Sequence, residues 1–208
     1  MSITYPLAMP SSPSPRQVDF VANNLVSVAV SPFTGSQQVY QWAGQWWEAQ
    51  IGLPPMLESE AATWVAFLNS LKGRTGTFHI GDPARKTPLG TVPGTPLVNG
   101  AQTGGGNTLA TKGWTASQTG ILKAGDYIQL GSGTTQRLYQ VLTDTDSDAS
   151  GNATLDIFPV LRSEGATDGA SITTSNCQGT FRLAGNVNKW QVDYTRVWII
   201  SFAAIEAI

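Results

Sequence analysis

The sequence predicts a mainly β protein: a β sandwich with one flanking helix, plus an inserted small β barrel or sandwich domain. Three observations carry that prediction. Short stretches of alternating apolar and polar residues recur along most of the chain, and only one segment carries an apolar stripe at helical spacing. The middle of the chain changes to short strand-like runs separated by Gly/Pro-rich turns, about every 10 to 20 residues.

The elements follow in order. "MSITYPLAMPSSPSPRQ" is a Pro/Ser-rich extended arm, without the basic start and apolar run of a secretory signal. "VDFVANNLVSVAVSPFTG" alternates and turns over residues 31–35. "QQVYQWAG" and "QWWEAQIG" read as two strands joined by Ala43-Gly44 into a hairpin. In the second strand Trp47, Ala49 and Ile51 share one face, while Trp46, Glu48 and Gln50 share the other. Trp47 should therefore enter a core and Trp46 should point outward.

The helix is "ESEAATWVAFLNSLKG". Ser59 is its expected N-cap, Glu58 and Glu60 sit at the positive end of the helix dipole, and Gly73 stops it. Ala61, Trp64, Val65, Leu68 and Leu71 form one stripe for packing on a sheet. "GRTGTFHIGDP" then gives a short strand through Phe78 and Ile80.

Beyond residue 84, "KTPLGTVPGTPLVNGAQTGGG" reads as loop. Short strands follow in "NTLATKGW", "DYIQLG", "RLYQVLTD", "ATLDIFPVLR" and "ASITT". The closing segment reads as strong strand, with Trp190, Val192, Tyr194, Arg196, Trp198, Ile200 and Phe202 on one parity. The division that results is a discontinuous first domain, 1–84 with 179–208, and an inserted β domain, 85–178, that should lift out as a unit.

Composition excludes several functions. Charged residues are 12% of the chain, about half the roughly 25% of soluble domains. A net charge of −2 supplies neither phosphate neutralisation for nucleic acid nor a basic patch for an anionic membrane. The one cysteine, Cys177, allows no internal disulfide and reads as a small semi-buried residue. No apolar run reaches transmembrane length, so the protein is expected to be made and used without crossing a membrane by the secretory route.

No catalytic, cofactor-binding or metal-binding residue is predicted. His79, the one histidine, alternates with Phe78 and Ile80 and reads as a packed strand residue. Asp144, Asp146, Asp148 and Gly151 superficially form a calcium loop. The glycine is late, however, and Leu155 stands where a bidentate glutamate belongs, so an Asp-rich turn is the better reading. Gly104, Gly105 and Gly106 precede no helix and form a flexible loop rather than a phosphate cradle. Asp126 shapes a turn. Of the tryptophans, Trp47, Trp64, Trp190 and Trp198 are expected in cores. Trp42 and Trp46, with Glu48 and Gln50, form the expected subunit interface. Trp114 is the best aromatic platform for a competing reading, a carbohydrate-binding or adhesin module contacting a host cell surface.

This arrangement resembles one known family. A hairpin, the helix "ATWVAFLNSLKGRTGTFHIGDP", a β module containing "LKAGDYIQLG" and "RLYQVLTDTDSDASGNATLDIFPVLR", then "GTFRLAG" and a closing strand resemble the distal tail proteins of long-tailed bacteriophages. The resemblance implies a tail-tube-like first domain and a hexameric ring, with the second domain decorating its outside. It further implies a structural, non-enzymatic virion protein at the tail tip, assembled in the host cytoplasm. Its partners would be further copies of itself, the tail tube protein, the tail-tip hub protein and the tape measure protein. No cofactor, membrane or nucleic-acid specificity is implied.

Overall fold

The computed structural model describes residues 3–208. The fold is mainly β, with one α-helix and two antiparallel sheets. The strands are β1 (Gln17–Val30), β2 (Gln37–Gly52), β3 (Thr77–Ile80), β4 (Gly94–Val98), β5 (Thr108–Trp114), β6 (Tyr127–Leu130), β7 (Arg137–Val141), β8 (Ala153–Phe158), β9 (Gly179–Leu183), β10 (Trp190–Val192) and β11 (Trp198–Glu206). The helix, α1, is Glu58–Ser70. The first sheet runs β1-β2-β11-β9-β3, with β10 paired to β11; the second runs β4-β5-β8-β7-β6 and curls into a half-barrel.

The hairpin is larger than the alternation indicates. β2 passes through Ala43 and Gly44 without a break, and its partner is β1, across a turn at 31–36. Gly44 marks a bulge: the register steps from Asn24↔Gln45 to Val26↔Gln41, so residues 42–44 oppose Leu25 alone. A Cβ on Gly44 would lie 3.0 Å from the Leu25 Cβ, so the glycine admits Leu25 rather than turning the chain.

α1 starts at Glu58, and its N-cap is Leu57 rather than Ser59. Leu57 makes no side-chain capping bond, and its carbonyl accepts the amides of Glu60 and Ala61. Its apolar stripe buries Ala61, Trp64, Phe67, Leu68 and Leu71, with Val65 only partly covered. Trp64 meets Phe202 of β11 at a ring separation of 6.2 Å, and Phe67 meets Phe78 of β3 at 5.6 Å. The helix ends as Lys72 and Gly73 turn into the left-handed region, at φ 52° and 65°.

The closing segment is a hairpin rather than one strand. Asp193 folds the turn between β10 and β11, its carboxylate accepting the amides of Thr195 and Val197 and the Thr195 hydroxyl. Trp190 does share a face with Ile200, but β10 is short and marginal in the sheet, which leaves Trp190 exposed instead of in the core. The segment read as loop carries β4, whose Pro96 is tolerated at the edge of the second sheet. "ASITT" contributes only the isolated bridges of Ser171 and Thr173. The N-terminal arm is extended and covers the β3 edge: Leu7 donates to Thr77 O at 2.8 Å and accepts from the His79 amide at 3.2 Å.

Two apolar clusters fill the molecule. One lies within the half-barrel around Tyr139, Leu109, Ile128 and Leu155. The other lies between the first sheet, α1 and the inserted segment, and contains Tyr127, Leu138 and Phe158 of the insert alongside Trp47, Trp64 and Phe181. Trp47 touches Phe158 edge-on at 4.8 Å and its indole N–H donates to Leu138 O at 3.1 Å. Lifting out 85–178 would strip that cluster of three large side chains. Among the described residues, no helix is long and apolar enough to cross a membrane.

Candidate assembly surface

The strand period places the hairpin tryptophans as their neighbours require. Trp47, Ala49 and Ile51 are buried, whereas Trp46 and Glu48 are half-buried and Gln50 is exposed on the opposite face. Trp46 Nε1 donates to Glu48 Oε1 at 3.1 Å, so the two side chains form one polar-tipped unit on the outer face. Trp42 is 51% exposed and is one of the bulged residues opposite Leu25. It lines a cleft of about 330 Å³ with Gln41, Ala43, Gly105, Asn107 and Val160. Gln50 lines a different cleft, of about 340 Å³, with Leu68, Leu183 and Phe202 among others. The structure thus brings Trp46 and Glu48 together and separates Trp42 and Gln50 from them.

A larger feature lies beside these residues. Val26 and Val28 face Gln41 and Val39 across the hairpin, and Val30 faces Gln37. Direct partners in an antiparallel ladder share a face, so Val26, Val28, Val30 and Val39 make one apolar row. All four are exposed, by 44% to 60%. Residues 20–47 contain no Asp, Glu, Lys or Arg. β1 is an edge strand along its whole length, and β11 pairs with β2 only from Glu48 to Gly52, leaving the far part of β2 open as well. Natural edge strands are usually guarded by charge, proline or a covering segment. The opposite edge, β3, has such a cover in the arm; this hairpin has none among the described residues. The signal was present in the sequence as an uninterrupted uncharged window, which chain-wide composition dilutes.

At the hairpin base the surface becomes a buried polar seam. Gln45 is 5% exposed; its Oε1 accepts from Asn107 Nδ2 at 2.8 Å and its Nε2 donates to Asn24 Oδ1 at 2.9 Å. Its carbonyl accepts from the Arg162 guanidinium. Glu206, on β11, accepts the Trp47 amide at 3.2 Å. Burial pushes the Glu206 carboxyl above the usual carboxylate range, against the hydrogen bond from Trp47 and the nearby guanidinium groups of Arg162 and Arg137.

The remaining polar residues have structural partners. Asp144 accepts the Ala124 amide at 2.9 Å, and Asp146 that of Gly120 at 2.7 Å. Asp148 accepts the amides of Asn152 and Ser150, which hold its carboxyl below the usual range. The three carboxylates thus tie different turns together. Asp126 is buried and holds the amides of Leu89, Gly90 and Lys123. Among the described residues, no three His, Cys, Asp or Glu side chains group as metal ligands. His79 packs in its strand, its pKa lowered by burial, with Nδ1 3.5 Å from the Thr180 hydroxyl. Burial raises the Cys177 thiol to about 12. Trp114 is buried and donates to Thr111 Oγ1 at 2.8 Å, so it offers no sugar-stacking face.

Comparison with protein-family models and with curated proteins finds no match.

Proposed function

We propose that the chain is a structural protein of a bacteriophage virion, forming a hexameric ring at the distal end of the tail and joining the tail tube to the tail-tip hub. The observation that carries this reading is the uncharged, apolar hairpin with open backbone edges on both strands. In an antiparallel arrangement, β1 of one copy can extend the open part of β2 of the next. Such a contact joins two different edges, so it is heterologous and closes into a ring when the rotation divides a full turn. It converts orphan N–H and C=O groups into ladder bonds and sets the valine row beside the same-face side chains of the neighbouring strand. Trp42 and the Trp46–Glu48 unit would lie at or beside that joint, while Gln50 lies in the stretch already paired with β11. The tail tube, hub and tape measure proteins are the further partners of this reading.

A carbohydrate-binding role retains Trp42 as its exposed aromatic, now that Trp114 is buried. Imaging of the purified protein for six-membered rings, beside a binding assay against cell-surface glycans, separates the two. Rings support the tail-tip reading; a persistent monomer in isolation and in the assembled particle, with glycan binding lost in Trp42→Ala, supports the other.

A further inference from the structure

We infer that the outer half of the β1–β2 hairpin is a hinged arm, pivoting at the bulge opposite Leu25 and held at its angle by the inserted segment through Gln45. On the body side of the pivot, β2 is fastened. Gln45 receives Asn107 and Arg162 of the insert on its side chain and carbonyl, and two residues on Trp47 donates its indole N–H to Leu138 O. Neither attachment is solvent-screened, because Gln45 and Trp47 are both buried.

On the far side nothing fastens it. The ladder steps at the bulge, and every residue of 25–30 and 37–43 is exposed. A bulge beside a rigid attachment concentrates bending at one place, and a segment with few buried contacts opens at low free energy. The cleft between Gln41, Trp42 and Ala43 on the arm and Gly105, Asn107 and Val160 on the body leaves room for the arm to close. Its lining comes from both the arm and the insert, so arm movement changes that cleft. The insert thereby sets the direction in which the open strand edges are presented, a role that goes beyond the ring reading and does not depend on it.

The test uses the full chain at a concentration where it is monomeric, with spin labels on Ser36→Cys at the hairpin tip and Thr103→Cys on the insert; the native Cys177 is buried. The distance distribution between the labels should be narrow in the parent and about twice as wide in Gln45→Ala and in Asn107→Ala. Amide exchange over 26–30 and 37–41 should rise about tenfold in the same variants, the scale of one lost buried hydrogen bond. Gln41→Ala, on the arm itself, should leave both readouts unchanged. Asn107→Ala breaks the same bond from the insert, so it decides the question if Gln45→Ala fails to fold. Distributions no wider than the parent's, or an equal widening in Gln41→Ala, would overturn the hinge.

Discussion

β2 is two strands in physical terms, although the backbone is continuous. From Gln45 to Gly52 its inward residues are buried, its backbone pairs with β1 and, from Glu48, with β11, and its side chains meet the insert. From Gln37 to Gly44 it pairs only with β1, and both faces meet solvent. The inner half is organised by apolar burial and aromatic packing. The outer half keeps strand-forming residues, yet lacks both a core to justify its valines and the charges that would protect a solvated edge. The contrast teaches that the inner half of the strand serves folding, whereas the outer half adds nothing to the chain's own core.

The strongest way to break the comparison is to remove what the inner half rests on. Replacing 85–178 by a short Gly/Ser linker between Pro83 and Gly179 takes Tyr127, Leu138 and Phe158 from the shared cluster. The expected product shows no cooperative thermal transition. A sharp transition from that variant would mean that the first sheet and α1 hold a core by themselves.

Single substitutions should follow the same division. Trp47→Ala and Trp64→Ala each empty a nearly or fully buried site and should cost about 3–5 kcal/mol by chemical denaturation. Trp64→Phe should cost less, because the Trp64 indole N–H is buried without a partner. Trp46→Ala should change folding stability by no more than about 1 kcal/mol, while weakening each subunit joint by about 2 kcal/mol if Trp46 is one of its anchors.

The seam offers a pH test of smaller effect. The Glu206 carboxyl is raised in the folded chain, so the fold binds its proton more tightly than the unfolded chain does. That contribution to stability is fully present below the ordinary glutamate value and is lost as pH rises through the higher folded value. Glu206→Gln, read by melting temperature against pH, should flatten this loss on the alkaline side of the ordinary carboxylate range. A variant profile with the parent's slope there would place the proton elsewhere.

Much of this was legible from side-chain pattern, because pattern reports local geometry. Trp46 and Trp47 separate by strand period alone, and the α1 stripe follows from helical spacing with Phe67 added. Gly44 misleads because a glycine inside a strand marks either a turn or a bulge, and only the partner strand decides between them. Trp190 misleads for a related reason: its parity with Trp198 and Ile200 survives the Asp193 turn, but parity does not report that β10 is too short and marginal to be covered. The seam was illegible, since Gln45, Asn107, Arg162 and Glu206 are far apart in the chain and none belongs to a motif. The open edges were equally hidden, because which strands end a sheet is a property of topology rather than of any window.

The most direct test of the assembly claim is the mass of the purified protein in solution, by light scattering across concentration, for the parent and for the double substitution Val28→Lys with Val39→Lys. The two lysines face one another and repel across the ladder, but on the outer half, where nothing is buried in the single chain, so the melting of the core should shift little. The account predicts a six-chain particle for the parent and a folded monomer for the variant. A parent that stays monomeric at every concentration and also in the assembled particle, or a variant that assembles as the parent does, would contradict it.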